Sequence, residues 1–331
     1  MIEVQNLTKH YGPVTAIRDV SFNVTPGEIV GFLGPNGAGK STTMRILSCF
    51  MPASGGTARV AGYDVFRESM EVRKRIGYLP ESVPLYNEMR VAPYLDFVAE
   101  VKGVGRAERR RRVADAMDRC LIADVQNRFI GTLSKGYRQR VGLAQAIVSD
   151  PHVLILDEPT IGLDPQQIAE IRALIKSLAG EHTVILSTHI LPEVSMVCNS
   201  VVIINKGTIV AQGPIDMLVE QFFPSSRVEV ELAKRDPATR EALRAIPGVV
   251  AVTELSSDGG GGRYMVESAR TRDVRAEIFQ VAADKHWSLR ELRRVGMTLE
   301  EVFMRVVAGE EVSGEEAAPA PATVAEPDKT P

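Results

Sequence analysis

Gly34-Pro35-Asn36-Gly37-Ala38-Gly39-Lys40-Ser41-Thr42 fits G-x-x-x-x-G-K-[ST] and lies where a strand pattern gives way to a helix pattern. Upstream, Glu28-Ile-Val-Gly-Phe-Leu33 is a short apolar run suited to a buried parallel strand; downstream, Ser41 to Leu47 has helical spacing. Glycines at 34, 37 and 39 let consecutive N–H groups converge on phosphate oxygens, and the helix start adds positive potential. Lys40 is expected to reach the β- and γ-phosphates, Ser41 to ligate Mg²⁺, and Thr42 to donate near the α-phosphate. The competing reading, a glycine-rich turn without a ligand, does not account for a full match in this context.

A second stretch supplies acids. Val153-Leu-Ile-Leu-Asp157-Glu158 is the pattern of a buried strand delivering two carboxylates at its C-terminal edge, where α/β sheets bind ligands. Asp157 is the expected partner of the Mg²⁺ held by Ser41, and Glu158 the expected base for an attacking water. Thr183-Val-Ile-Leu-Ser-Thr-His189 is another buried strand, ending in a histidine at the same edge. Strand-end histidines are commonly structural, but this position favours a γ-phosphate contact.

Two further helix starts are legible. Ser134 caps a helix opening Leu133-Ser-Lys-Gly-Tyr-Arg-Gln-Arg140, with Gly136 admitting close approach to the backbone. Beside a phosphate loop this is a second candidate phosphate-binding terminus. Gly162-Leu-Asp-Pro165 starts the next helix, with Asp164 as N-cap and Pro165 at its first position.

Around these motifs, residues 2–7 and 16–24 read as a hairpin joined by a polar turn from Thr8 to Thr15. Tyr11, in that turn, either stacks on a purine or packs on its own strand. A strand is expected over 75–81, and helices over 91–102 and 106–122. The four consecutive arginines 109–112 read as a solvated face, or else as a docking surface for an acidic partner or lipid headgroups. From Arg227 the pattern becomes strand, helix, strand, strand, helix, strand, a ferredoxin-like split unit with Gly259–Gly262 as its hairpin loop, followed by a helix over 298–307. Residues 309–331, rich in Ala, Pro and Glu, are expected to be disordered.

Composition narrows the classes. The 331 residues, 44 % hydrophobic, suffice for a main domain and an accessory one. Net charge is −3, so no dedicated nucleic-acid binder is indicated; the tail from Gly309 holds six carboxylates against one lysine, which leaves the rest of the chain close to neutral. Cys49, Cys120 and Cys198 are too scattered for a disulfide framework or zinc site, which suits a reducing cytosol. No apolar run approaches the roughly 18 residues of a membrane span, so a cytoplasmic protein is expected.

The ordered set of phosphate loop, Leu133–Arg140, Leu154-Ile-Leu-Asp-Glu-Pro159, Gly162–Pro165 and Ser187-Thr-His189 resembles the ATP-binding subunit of ABC transporters. The C-terminal module, ending Met297-Thr-Leu-Glu-Glu-Val-Phe-Met304, is similar to the extension on exporter ATPases of the multidrug, natural-product and gliding-motility type. The resemblance implies an α/β P-loop ATPase with a mixed-sheet core, an antiparallel β subdomain and a helical subdomain over 1–220, then a small α+β ferredoxin-like unit over 226–308. It implies a head-to-tail dimer sandwiching two ATP molecules with Mg²⁺, peripheral on the inner membrane face and powering a separate permease, with no nucleic-acid partner. By that resemblance Tyr11 stacks adenine, the 34–42 loop holds phosphates, and Asp157 supports the metal. Glu158 is the base, Asp164 crosses the dimer interface, and His189 senses the γ-phosphate.

The sequence departs from the pattern twice. Lys135 and Tyr137 stand where LSGGQ has a glycine and the glutamine, and Glu81 stands in the loop that usually carries a glutamine. Glu81 can still ligate Mg²⁺, but adds negative charge near the γ-phosphate. Two other readings compete: an ABC-type ATPase acting on ribosomes or DNA, and a regulatory subunit without turnover. A single phosphate loop without a long coiled-coil insertion opposes the first, and intact Lys40, Asp157, Glu158 and His189 oppose the second.

Overall fold

A computed structural model describes residues 1–222, 225–255, 261–269, 272–296 and 298–308. The expectation of a disordered tail over 309–331, Gly259 and Gly260 of the predicted hairpin loop, and Met297 and Pro224 lie outside the described residues.

The chain opens with β1 (Ile2–Tyr11) and β2 (Val14–Val24), then β3 (Ile29–Leu33) and α1 (Lys40–Leu47). β4 (Gly55–Val60), β5 (Tyr63–Asp64), α2 (Ser69–Arg75) and β6 (Ile76–Leu79) follow. Next come α3 (Val91–Val101), α4 (Arg106–Arg119) and α5 (Lys135–Ile147). β7 (Val153–Asp157), α6 (Pro165–Ser177), β8 (Thr183–Thr188), α7 (Leu191–Val197), β9 (Ser200–Asn205), β10 (Thr208–Pro214) and α8 (Ile215–Phe222) complete the first part.

Every residue of β3, β7 and β8 is buried, as strands covered on both faces require. They form the centre of a six-stranded sheet ordered β10-β9-β3-β8-β7-β6, parallel except for the β10 edge. One face packs through Leu154, Leu156, Val184 and Leu186 on the helical region that holds Leu95, Met117 and Leu143. The other packs through Val30, Phe32, Ile155 and Ile185 on α1 and on a four-stranded antiparallel sheet ordered β2-β1-β4-β5. Parallel strands share one direction, so the carboxyl ends of β3, β7 and β8 bring the phosphate loop, the acid pair and His189 to one edge.

Several predicted boundaries move. The hairpin turn is shorter than Thr8–Thr15: Tyr11 pairs with Val14, His10 Nδ1 lies 3.0 Å from Thr15 Oγ1, and only Gly12, at φ +56°, and Pro13 are left to turn. The strand expected from Arg75 begins at Ile76, because Arg75 closes α2, and it stops before Pro80. α4 ends at Arg119 rather than 122, where Leu121 turns left-handed at φ +55°. Its arginines are largely engaged within the chain: Arg109 with Asp96 and Glu100, Arg111 with Glu108, Arg112 with Asp150.

Beyond these, β11 (Ser225–Leu232), α9 (Thr239–Arg244), β12 (Val249–Leu255), β13 (Gly262–Ala269), α10 (Arg275–Asp284) and β14 (Leu289–Val295) form an antiparallel sheet ordered β12-β13-β11-β14 with two helices, the expected ferredoxin-like arrangement. Its core is Val228, Val230, Leu232, Tyr264, Val266 and Ile278 with their neighbours. The last helix, α11 (Leu299–Ala308), packs elsewhere: Leu299, Val302 and Val306 share a cluster with Leu33, Val194, Val201, Ile203 and Leu218.

Candidate functional site

The loop after β3 is shaped by contacts that exclude side chains. A Cβ on Gly34 would stand 2.3 Å from the Ile204 carbonyl oxygen, and one on Gly39, at φ +108°, would stand 2.5 Å from Ile17 Cγ2. The chain therefore wraps back under the start of α1 with Gly39 as its N-cap. Asn36, Gly37, Gly39, Lys40, Ser41 and Thr42 line a cleft of about 470 Å³ together with Ala16, Glu81, Glu158, Ile161 and His189. Nine of the predicted site residues thus meet in one place, drawn from four separate sequence motifs.

Inside it, Lys40 and Glu158 are both buried and form an ion pair, Nζ to Oε1, at 3.4 Å. The ammonium also donates to the carbonyls of Gly34 at 2.9 Å and Pro35 at 3.3 Å. Ala38 closes the loop by donating its N–H to the Pro35 carbonyl at 3.2 Å. His189 Nδ1 lies 2.9 Å from the other Glu158 oxygen, with the side chain 40 % exposed. Glu158 adopts φ +50°, a left-handed conformation costly for a residue with a side chain. Its N–H donates to the Ser187 carbonyl at 3.0 Å and lies 3.2 Å from the Ser187 hydroxyl oxygen.

Asp157 is almost wholly buried. Ser41 Oγ donates to Asp157 Oδ1 at 3.1 Å and Ser187 Oγ donates to the same oxygen, while Oδ2 has no hydrogen-bond partner. Desolvation by burial pushes this carboxyl above the usual range, the two hydroxyls pull it down, and the nearby Glu81 charge raises it again. An orphaned carboxylate oxygen beside a serine hydroxyl fits Mg²⁺, which keeps waters and phosphate oxygens in its shell. Among the described residues no group of three or more His, Cys, Asp or Glu could hold a metal, so a cage of protein ligands alone does not fit.

The other predicted residues lie apart from the cleft lining. Tyr11, at the end of β1, has its ring beneath Lys9 Nζ and its hydroxyl 3.0 Å from Met51 Sδ. Ser134 caps α5 and accepts from the Tyr137 N–H at 3.4 Å; Asp164 caps α6 and accepts from the Gln167 N–H at 2.9 Å. These two starts abut, since a Cβ on Gly136 would fall 2.4 Å from Gln167 Oε1 and Gln139 donates to the Pro159 carbonyl at 2.9 Å. The atypical residues here engage their own surroundings: Lys135 Nζ lies against Gly162, and the Tyr137 hydroxyl donates to Asp124 at 2.9 Å.

Two groups carried no role in the sequence reading. Ser187 touches both acids, and Glu193, 1 % exposed, accepts from Thr188 Oγ1 at 3.0 Å and pairs with Arg172 at 3.4 Å, bracing the His189 loop. The available signal was a hydroxyl or carboxylate within a buried apolar run, where it must find a partner.

A family profile described as ABC transporter matches residues 17–161. The ABC transporter ATP-binding protein NatA of Bacillus subtilis (strain 168) is 38 % identical over 209 residues, 62 % of this chain and 85 % of that protein. The daunorubicin/doxorubicin resistance ATP-binding protein DrrA of Streptomyces peucetius is 33 % identical over 323 residues, 96 % of each chain. A solved dimeric ATP-binding cassette in a post-hydrolysis state, bound to ADP and Pi, superposes with a TM-score of 0.60 at 25 % identity, covering 65 % of this chain and 98 % of that one.

Proposed function

The chain belongs to the ABC transporter family, and we propose that two copies of it, facing opposite ways, enclose two ATP molecules and drive a separately encoded permease in export. It is an ATP-binding and ATP-hydrolysing subunit. The observation that carries the dimeric reading is the separation of two phosphate-seeking helix starts: α1 opens onto the Lys40 cleft, whereas Ser134 and Gly136 are absent from its lining. Each nucleotide would then lie between the Lys40 loop of one copy and the α5 start of the other, with Asp164 at the contact and Tyr11 against the base. The division into an ATP-binding unit over 1–220 and an accessory unit over 226–308 belongs to the same proposal, as does residence at the inner membrane face. No helix among the described residues is long and apolar enough to cross a membrane.

Lys40 and His189 are both engaged on Glu158. ATP would draw the Lys40 ammonium onto the β- and γ-phosphates and free the carboxylate. Glu158 then accepts a proton from water as the water oxygen bonds to the γ-phosphorus and the bond from that phosphorus to the β–γ bridging oxygen breaks, yielding ADP and phosphate. Ser41 and Asp157, with Glu81 lining the same cleft, would hold Mg²⁺, which would neutralise charge on the phosphates. Glu81 adds a charge of the wrong sign beside the γ-phosphate, so basal turnover is expected to be slow until the permease engages.

Glu158→Gln is expected to cut phosphate release by roughly 10²–10⁴-fold while retaining ATP, and to accumulate an ATP-dependent dimer on gel filtration. Unchanged release would refute Glu158 as the base. Recovery of the native protein with a multispanning membrane protein supports the transport reading; recovery with ribosomes or DNA would replace it.

A further inference from the structure

Ser187 sits in β8 with no solvent exposure, a hydroxyl that follows the apolar run Val184, Ile185 and Leu186. Such a group costs stability unless it is bonded, and this one is bonded on both sides. It donates to Asp157 Oδ1, and its oxygen lies 3.2 Å from the Glu158 N–H, which also meets the Ser187 carbonyl at 3.0 Å. One residue on β8 therefore bonds the carboxylate of Asp157, which ends β7, and the backbone of Glu158, which follows it.

Ser41 is the other donor to Asp157 Oδ1, at 3.1 Å, but its hydroxyl has a second duty. On the reading that this chain binds Mg·ATP, the Ser41 oxygen would also ligate the metal, which leaves Ser187 as the donor to Oδ1 with no metal to serve. With Oδ1 so held, Asp157 is kept from rotating about its terminal torsion, with Oδ2, unpartnered here, as the free oxygen. We propose that Ser187 is a positioning residue that presents Asp157 Oδ2 to the hydrated Mg²⁺ and pins Glu158 in its left-handed backbone conformation. The inference rests on the ATP reading and goes beyond it, because Ser187 does not line the cleft and acts only through the two acids.

The test is the affinity of a non-hydrolysable ATP analogue for the full chain, by calorimetry, with Mg²⁺ and with EDTA. Wild type is expected to bind more tightly with Mg²⁺. Ser187→Ala should match wild type in EDTA but lose roughly tenfold or more of the Mg²⁺-dependent gain, the usual effect of removing an outer-shell partner. Ser187→Cys, close in volume and a weak donor, should behave like the alanine variant, and Ser187→Thr should recover most of the gain. A full Mg²⁺-dependent gain in Ser187→Ala, or an equal loss with and without Mg²⁺, would overturn the proposal. Failure of wild type to bind the analogue at all would instead overturn the nucleotide reading.

Discussion

At the scale of single residues, Asp157 is where burial and charge conflict most. Its carboxyl is raised above the ordinary 3.8, first by desolvation, so the folded protein binds this proton more tightly than the unfolded chain does. Below 3.8 the carboxyl is protonated in both states and costs nothing; as pH rises through the folded value, the charge must be buried and stability falls. Asp157→Asn is therefore expected to raise the unfolding temperature of nucleotide-free protein at neutral pH. The advantage should shrink as pH falls toward about 4, in melts across that range, while phosphate release is lost. An equal gain at both ends would assign the effect to packing rather than charge. Asp157, Glu158, Lys40 and Ser41 were legible in the sequence because each belongs to a motif whose spacing encodes its chemistry. Ser187 and Glu193 were not, because what defines them is a partner on a neighbouring strand or helix.

At the scale of elements, the two helix starts outside the cleft differ in how firmly they are capped. Asp164 accepts from Gln167 N–H at 2.9 Å, whereas Ser134 accepts from Tyr137 N–H at 3.4 Å. Asp164→Ala is expected to cost about 1 kcal/mol in denaturant unfolding of nucleotide-free protein. Ser134→Ala should cost clearly less, and both should weaken ATP-dependent dimerisation. If the two cost the same, bond length is not what sets cap strength here. The sequence announced these caps because an N-cap is a local event, readable from a serine or aspartate three residues before the N–H it accepts from. Element ends elsewhere were less legible. β1 and β2 extend to Tyr11 and Val14 because cross-strand contacts such as His10 with Thr15 outweigh the polar composition that suggested a turn.

At the scale of the whole molecule, α11 shows how an amphipathic pattern identifies a buried face without naming its partner. Its spacing predicted a helix following the ferredoxin-like strands, yet Leu299, Val302 and Val306 lie against Leu33, which immediately precedes the phosphate loop, and Val194, on the helix after His189. Arg305 donates to the Phe222 carbonyl at 3.1 Å and Glu301 pairs with Arg227 at 2.9 Å, so the helix also grips the connection between the two parts. Val302 is fully buried and Met304, two residues on, is 67 % exposed. Val302→Ala in the full chain is expected to cost about 2 kcal/mol, and Met304→Ala less than about 0.5. Calorimetric scans with and without an ATP analogue identify which transition suffers, because a ligand raises only the transition of the unit it binds. The loss from Val302→Ala should fall on the nucleotide-responsive transition. A loss confined to the unresponsive one would mean that α11 is held by the accessory sheet and leaves the strand beneath Lys40 unsupported.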